Sequence, residues 1–255
     1  MKKKGKEQVR RFVCSDIHGQ YELFLKMLDG IQFTEQDHLY ILGDMIDRGP
    51  QSMELMQDIM KRHNVFCILG NHELMMLDYL YKDSNGNCWM FPGNGGSVTY
   101  QKYLELEKEE QDEMKRFIEN MYLQIEIVSG DKTFLLSHSS FKDGGTLKVS
   151  EVYHIELFNI VWCSPWRFAE YEPEEYYDDG RIHVIGHVPV QRFSFKNEAY
   201  VSKNIVNIDL GCARLAHDSP GFLCCMDLDA FADGREAFRY FGYSEIDSNI
   251  KQKNH

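Results

Sequence analysis

Five apolar runs in the sequence each end in a side chain that can bind a cation. The polar residues that follow these runs are Asp16 with His18, Asp44, Asn71, His138 and His187. Carboxylate, imidazole and amide oxygen suit borderline to hard divalent ions, and no thiolate occurs among them. If the chain brings these residues together, their types predict a metal centre.

The spacing and number of these residues strengthen the metal hypothesis. Asp16 and His18 are two positions apart, so in extended backbone their side chains point to the same side and can share one ion. Each position alone is a weak signal, because a polar residue after a strand is more often a turn residue, a helix cap or a satisfied polar group. Five such positions in one chain favour a metal site over those simpler interpretations.

Short apolar runs alternate with segments of helical period in the first half of the chain. Strands are expected at 12–14, 39–42 and 65–69, with helices after each of them, the third at 73–80. This order is typical of β-α-β units around a parallel sheet, where ligands bind beyond the carboxyl ends of the strands. The polar residues at the strand ends are therefore expected to converge at one edge.

The later part of the chain has a different pattern. Its apolar runs lie at 133–136, 183–185, 205–210, 222–228 and 236–241. Short turns at 218–221 and 233–234 indicate hairpins and antiparallel pairing. The glycine- and asparagine-rich segment 83–96 is expected to be a loop or insertion. With no internal repeat or linker, the sequence predicts one domain over residues 1–255 that contains a mixed sheet system.

Composition excludes several classes of protein. The chain has 255 residues, 43% hydrophobic and 27% charged, which is an ordinary globular composition and excludes disordered and collagen-like chains. Its net charge of −12 opposes binding to a nucleic acid polymer. The basic start lacks the apolar stretch of a signal peptide, and no run is long enough for a membrane span. Seven cysteines without a C-x-x-C pair indicate reduced thiols, so a cytoplasmic location is expected.

The acidic segments 105–113 and 170–179 are candidates for metal or partner sites, but solvated charged faces are the commoner explanation. The histidines outside the strand ends lack a comparable context. They are His38, His63, His154, His183, His217 and His255. No function is expected of them.

The motif series resembles that of the calcineurin-like metallophosphoesterases. It consists of D-x-H-G at 16–19, G-D-x-x-D-R-G at 43–49 and G-N-H-E at 70–73, followed by His138 and Gly186-His187. This full set resembles the phosphoprotein phosphatase branch. The N-G-G-x-x-T segment at 94–99 is similar to one in bacterial and phage members, including bacteriophage lambda phosphatase and symmetrical diadenosine tetraphosphatases. The resemblance covers roughly residues 10–212.

The resemblance implies a fold and a metal centre. The fold would be an α/β four-layer α/β/β/α sandwich of two mixed sheets flanked by helices. Two divalent ions would be bound, manganese first, with iron, zinc or nickel as alternatives. One ion would take Asp16 and His18, the other would take Asn71, His138 and His187, and Asp44 would bridge them. The segments 137–140 and 186–189 depart from the usual family sequences without removing a ligand.

The resemblance also implies catalytic roles. A hydroxide that bridges the two ions would attack the phosphoryl group in line. His72 would be the general acid for the leaving alkoxide, and Asp47 would hold its ring charged and oriented. Arg48 would bind non-bridging phosphate oxygens. Arg167 is the candidate for a second phosphate-binding arginine, with Arg181 and Arg192 as the other arginines of that interval.

The expected function is hydrolysis of phosphomonoesters, with protein phosphoserine and phosphothreonine or a small phosphoester as substrate. The alternative is a symmetrical dinucleoside polyphosphate hydrolase. Tetraphosphatases of this branch often have Ala where Asp47 stands, so the Asp47-His72 pair favours phosphomonoesters. A non-catalytic, metal-dependent interaction module is a remote alternative, because it would be expected to have lost a ligand or His72. No membrane partner is expected.

Overall fold

The twelve strands in the described part of the chain belong to two mixed sheets of six strands each. The structure is a computed structural model that describes residues 9–164, 166, 172–194, 196–213 and 221–243. The strands are β1 (Arg11–Cys14), β2 (His38–Ile41), β3 (Val65–Cys67), β4 (Tyr122–Ser129), β5 (Lys132–Ser137), β6 (Leu147–Lys148), β7 (Ile182–Ile185), β8 (Tyr200–Val201), β9 (Ile205–Asn207), β10 (Asp209–Leu210), β11 (Phe222–Asp227) and β12 (Phe238–Phe241).

The helices follow the strands in the order expected for an α/β protein. They are α1 (Tyr21–Gly30), α2 (Ser52–Lys61), α3 (Asn71–Leu80), α4 (Gly96–Leu104), α5 (Lys108–Glu119), α6 (His154–Trp162), α7 (Pro173–Tyr176) and α8 (Leu228–Ala232). A 3-10 helix at Ser84–Met90 lies in the segment that the sequence predicts to be a loop. Within the described ranges, no helix is long and apolar enough to cross a bilayer.

The first sheet has the order β10-β11-β1-β2-β3, with β12 beside β11. Strands β1, β2 and β3 are parallel and are joined by α1 and α2, which confirms the predicted β-α-β units. Strand β11 pairs antiparallel with β1, β10 and β12, which confirms antiparallel pairing late in the chain. The carboxyl ends of β1, β2 and β3 therefore lie at one edge.

The second sheet has the order β6-β4-β5-β7-β9-β8. Strands β5, β7 and β9 are parallel, and β4 pairs antiparallel with β5. The amide of Leu69, just beyond β3, donates to the carbonyl of Tyr122 at 2.8 Å. This bond connects the two sheets close to the carboxyl end of β3.

Alternation along the strands separates three apolar layers. One face of the first sheet, including Cys14 and Ile41, packs on the helices. The opposite face, including Val13 and Leu42, packs on the second sheet. In the second sheet Val184 faces this shared core, whereas Ile185 packs on the far side against Tyr177 and its neighbours. Since successive side chains of a strand point to opposite faces, this pattern confirms two sheets flanked by helices.

Several elements differ from the sequence-based expectations. Strand β4 and helices α4 and α6 were not predicted, and α8 occupies the region between β11 and β12 where a short turn was expected. The predicted turn at 218–221 lies largely outside the described residues. The acidic segment 105–113 is mostly exposed, as predicted for a solvated face. The seven cysteines all lie in the described ranges and form no disulfide bond there, and five of them are buried.

Candidate active site

The first sheet brings four of the predicted residues to one edge. Asp16 and His18 follow β1, Asp44 follows β2, and Asn71 begins α3 just beyond β3. All four are buried. The prediction that polar side chains converge beyond the carboxyl ends of the strands is therefore correct for this sheet.

Left-handed backbone is concentrated at this edge. Asp16, His18 and Asp44 have φ angles of 51°, 48° and 52°, and Asp47, Arg48 and His187 also have positive φ. The expectation that Asp16 and His18 share one side of extended backbone is therefore wrong, since a tight turn brings them to the site. Each such residue costs about 1–3 kcal/mol, which surrounding contacts must offset.

The second sheet contributes two histidines to the same place. His138 follows β5 and His187 follows β7. The Nε2 atom of His138 lies 3.0 Å from Oδ1 of Asn71 and 3.2 Å from Nδ1 of His187, and the Asn71 Oδ1 to His187 Nδ1 distance is 2.9 Å. These three residues form the corner of the site that lies between the sheets.

Asp44 lies between these three residues and a second pair of side chains, His18 and His72. Its Oδ1 atom lies 3.5 Å from His138 Nε2, while its Oδ2 atom lies 3.7 Å from Nε2 of His18 and 3.9 Å from Nε2 of His72. Asp44, His138 and His187 can surround one ion, and Asp44, His18 and His72 can surround another. One carboxylate oxygen thus faces each group, which is the arrangement a bridging ligand needs.

Asp16 lies beside His187. Its Oδ1 and Oδ2 atoms accept hydrogen bonds from the His187 amide at 3.2 and 3.0 Å, and Ser15 Oγ contacts Oδ2. A Cβ at Gly186 would stand only 2.2 Å from Asp16 Oδ2. Glycine is therefore required at position 186 for the loop after β7 to approach the loop after β1. Asp16 is thus tied to the sheet that supplies His138 and His187.

The hydrogen bonds of two imidazoles fix which ring nitrogen carries a proton. His18 Nδ1 lies 2.9 Å from the carbonyl of Ile46, and His138 Nδ1 lies 2.6 Å from the carbonyl of Leu42. Because a carbonyl only accepts, both Nδ1 atoms donate, and both Nε2 lone pairs face the cluster. Lone pairs of imidazole, amide and carboxylate that face one another at about 3–4 Å repel unless a proton or a cation lies between them, and these atom types are metal ligands. The donor set therefore fits divalent metal ions.

Burial perturbs the charges of this cluster. It raises the pKa values of the Asp16 and Asp44 carboxyls well above their ordinary values, with neighbouring carboxylates contributing in the same direction. It lowers the pKa of His18 well below its ordinary value, and that of His138 to about 4. Buried carboxylates without nearby positive charge are costly, so bound cations would favour their ionised form.

Glu73 is a site residue whose role sequence reasoning missed. This fully buried carboxylate accepts hydrogen bonds from the amides of Asp44 (2.9 Å), Met45 (2.8 Å), Ile46 (3.3 Å) and Gly70 (3.0 Å). These bonds hold the loop after β2 against the start of α3. Glu73 therefore fixes the position of Asp44 relative to Asn71.

Replacing Glu73 by Gln should destabilise the protein and displace the Asp44 loop. A glutamine has one acceptor oxygen, and its NH₂ group would face backbone N–H donors. We expect a loss of about 2 kcal/mol or more in the free energy of unfolding in urea. Glu113→Gln, an exposed change on α5, should leave that value within about 0.5 kcal/mol. Equal stability of the Glu73→Gln variant and the wild type would contradict this role of the carboxylate.

Asp47 and His72 form a buried pair beside the cluster. Asp47 Oδ2 lies 2.6 Å from His72 Nδ1 and also accepts from Trp89 Nε1 at 2.7 Å. Burial raises the pKa of Asp47 to about 7, against the lowering effects of Thr99, Trp89 and Arg48. Burial and the nearby charge of Arg48 lower the pKa of His72 well below its ordinary value.

Arg48 is the exposed cation at the mouth of the site. Its Nη1 atom lies 2.5 Å from His18 Nε2, and its Nη2 atom lies 3.1 Å from His72 Nε2. The candidate Arg167 lies outside the described residues. Arg181 is bound to Asp179, Glu126 and the carbonyl of Gly144, so its donors are directed away from the cluster.

Comparison with known proteins agrees with the geometry. Residues 9–214 match the calcineurin-like phosphoesterase family. The chain is 31% identical over 200 residues to serine/threonine-protein phosphatase 2 of Salmonella typhimurium (strain LT2), covering 74% of this chain and 85% of that protein. It is 44% identical over 68 residues to the symmetrical bis(5'-nucleosyl)-tetraphosphatase of Wigglesworthia glossinidia brevipalpis, covering 26% of this chain and 25% of that protein.

Solved structures share the fold at low identity. A putative diadenosine tetraphosphatase has a TM-score of 0.63 at 15% identity and covers 94% of this chain and 96% of its own. A protein serine/threonine phosphatase from Saccharomyces cerevisiae has a TM-score of 0.58 at 15% identity, and the match covers 95% of this chain and 82% of that protein. The match over residues 9–214 and the relative at 31% identity lead to one assignment. The chain belongs to the calcineurin-like phosphoesterase family and is a metallophosphoesterase.

Proposed function

We propose that this metallophosphoesterase hydrolyses phosphoserine and phosphothreonine in proteins. The observation that carries the proposal is the buried pair of Asp47 and His72, with the His72 Nε2 atom 3.9 Å from Asp44. A serine alkoxide is a poor leaving group and needs a general acid, whereas a phosphate leaving group needs less help. The relative named serine/threonine-protein phosphatase 2 also matches over 85% of its length.

We propose that two divalent ions, manganese first, bind the clustered side chains, with iron, zinc or nickel as alternatives. Asp16 and His18 would hold one ion, Asn71, His138 and His187 would hold the other, and Asp44 would contact both. The contacts of Asp44 Oδ2 with His18 and of Asp44 Oδ1 with His138 support the assignment of these two histidines to different ions. When bound, the ions would supply positive charge to the phosphoryl group and lower the pKa of a coordinated water.

The side chains around the cluster would then bind and orient the substrate. Arg48 would donate to phosphate oxygens from its planar guanidinium. To do so it must turn away from His18 Nε2 and His72 Nε2, which it contacts in this structure. Release of His72 Nε2 allows that atom to carry the proton for the leaving oxygen, while Asp47 holds Nδ1.

Hydrolysis of symmetrical dinucleoside polyphosphates is the second candidate function. It is supported by the match to a tetraphosphatase over 68 residues and by the fold shared with a putative diadenosine tetraphosphatase. The phosphoprotein reaction is preferred because the Asp47-His72 pair provides acid catalysis and because the matching phosphatase is covered over much more of its length.

We also propose that the chain forms a single domain and that the protein is cytoplasmic. The two sheets share one apolar core, which supports a single domain over residues 1–255. Seven cysteines without a disulfide bond in the described residues support a cytoplasmic location, since reducing compartments keep thiols reduced.

A substrate panel tests the proposed function. The protein would be loaded with Mn²⁺, and kcat/KM would be measured on a phosphoserine peptide, diadenosine tetraphosphate and a cyclic nucleotide. We expect the phosphopeptide to be preferred over the dinucleotide by at least about tenfold. The reverse preference would establish the second candidate. Binding of Mn²⁺ without turnover of the phosphopeptide or the dinucleotide would contradict both candidate functions.

A further inference from the structure

The segment 83–96 lies directly on the elements that carry the Asp47-His72 pair. Its 3-10 helix, Ser84–Met90, packs on α3, where a Cβ at Gly86 would stand 2.1 Å from the Tyr79 nitrogen. Trp89 of this helix is fully buried and contacts the rings of Tyr79 and Tyr100, with centroids 5.5 and 6.0 Å away. The segment therefore packs against the helix that carries His72, the candidate general acid.

Trp89 reaches the pair through a hydrogen bond. Its Nε1 atom lies 2.7 Å from Asp47 Oδ2, the same oxygen that lies 2.6 Å from His72 Nδ1. An indole nitrogen only donates, so the direction of this bond is fixed. One carboxylate oxygen thus accepts from both rings, in a position that solvent does not reach.

Close packing holds the indole in this orientation. A Cβ at Gly96 would stand 2.6 Å from both Cδ1 and Nε1 of Trp89, so α4 begins directly against the indole edge. Asn94 Nδ2 also donates to the carbonyl of Cys88 at 2.8 Å, which fixes the backbone beside Trp89. With its neighbours fixed, the indole cannot turn away from Asp47 without moving α4.

We infer that Trp89 is a positioning residue for proton transfer by His72, an inference that rests on the proposed function. The indole N–H holds Asp47 Oδ2 toward His72 Nδ1, so that the imidazole keeps its Nε2 atom directed at the leaving oxygen. Without this donor the Asp47 carboxylate can rotate about its side chain and the imidazole loses its orientation. Side chains that orient a site residue through a hydrogen bond typically contribute about 10- to 100-fold to activity.

Trp89→Phe tests this inference, because it removes the N–H donor and keeps an aromatic ring. With Mn²⁺-loaded protein, we expect kcat on a phosphoserine peptide to fall by about tenfold or more. On nitrophenyl phosphate, whose leaving group needs little protonation, kcat should change less than about twofold. KM should stay within about twofold on both substrates. Trp166→Phe is the matched control, since Trp166 stacks on Phe193 and should show neither loss.

The Asp47→Ala background separates positioning from general damage. Trp89→Phe should cause no further loss of phosphopeptide turnover there, because the acceptor of the indole N–H has already been removed. If Trp89→Phe does not fold, benzothienylalanine at position 89 provides the same shape with sulfur in place of the N–H group. An equal loss on both substrates with either replacement would overturn the inference.

A second readout needs neither metal nor substrate. The chain has three tryptophans, so the ¹H-¹⁵N spectrum of the metal-free protein contains three indole signals at most. The signal lost in Trp89→Phe should be the one that moves upfield in Asp47→Ala, which removes the acceptor. If Asp47→Ala leaves it in place, the hydrogen bond is absent and the inference fails. Failure of the wild type to hydrolyse the phosphopeptide, with the indole shift present, would refute the proposed function alone.

Discussion

Asp44→Asn should lower kcat/KM by about a thousandfold or more on every phosphoester, even at saturating Mn²⁺. In the proposed centre each Asp44 oxygen faces a different group of ligands, at 3.5 Å from His138 Nε2 and 3.7 Å from His18 Nε2. Removing the shared charge therefore weakens both ion sites. Metal ions contribute several kcal/mol to phosphoryl transfer, and about 4 kcal/mol corresponds to about a thousandfold in rate.

The loss should not come from unfolding of the variant. Burial raises the pKa of Asp44, so its charged form destabilises the metal-free fold above the ordinary pKa of the carboxyl. Metal-free Asp44→Asn should thus unfold at a temperature no lower than the metal-free wild type. Asp78→Asn, which changes a buried carboxylate outside the cluster, should retain most activity. Near wild-type turnover of Asp44→Asn at saturating metal would disprove the binuclear proposal.

The location of the site could be predicted because it depends on topology. Parallel strands deliver their carboxyl ends to one edge, so Asp16, Asp44 and Asn71 could be assigned to one place from apolar runs alone. In the second sheet His138 and His187 follow the parallel strands β5 and β7, so they could be assigned to the same edge. The backbone shape at the site could not be predicted, since left-handed φ at Asp16 and His18 depends on contacts with the next loop.

Elements that depend on distant contacts were missed. The buried residues Leu123, Ile125 and Ile127 of β4 alternate with polar or exposed ones, a period-two signal that could have been found. By contrast, Glu73 stands in the predicted helix, yet three of its four donors lie about 28 residues earlier in the chain. Trp89 similarly gains its role from Asp47, 42 residues away. Local periodicity in a sequence indicates helices and strands, but it does not indicate partners that are distant in the chain.

His72→Asn should lose kcat in proportion to the basicity of the leaving oxygen. A poor leaving group needs its proton during bond cleavage, whereas nitrophenolate does not. We expect a loss of about 100- to 10,000-fold on a phosphoserine peptide and a much smaller loss on nitrophenyl phosphate. Both should be measured under conditions in which the chemical step limits the rate, as judged by the absence of a product burst.

Two neighbouring variants separate proton transfer from phosphate binding. Asp47→Asn should show the same order of losses with a smaller penalty, because Asp47 holds His72 Nδ1 at 2.6 Å and does not itself reach the leaving oxygen. Arg48→Ala should weaken both substrates by similar factors, since its donors would bind phosphate oxygens that both substrates have. If His72→Asn behaves like Arg48→Ala, with equal losses on the two substrates, His72 positions phosphate or metal and does not transfer the proton. In that case the Asp47-His72 pair would no longer favour phosphomonoesters over dinucleoside polyphosphates.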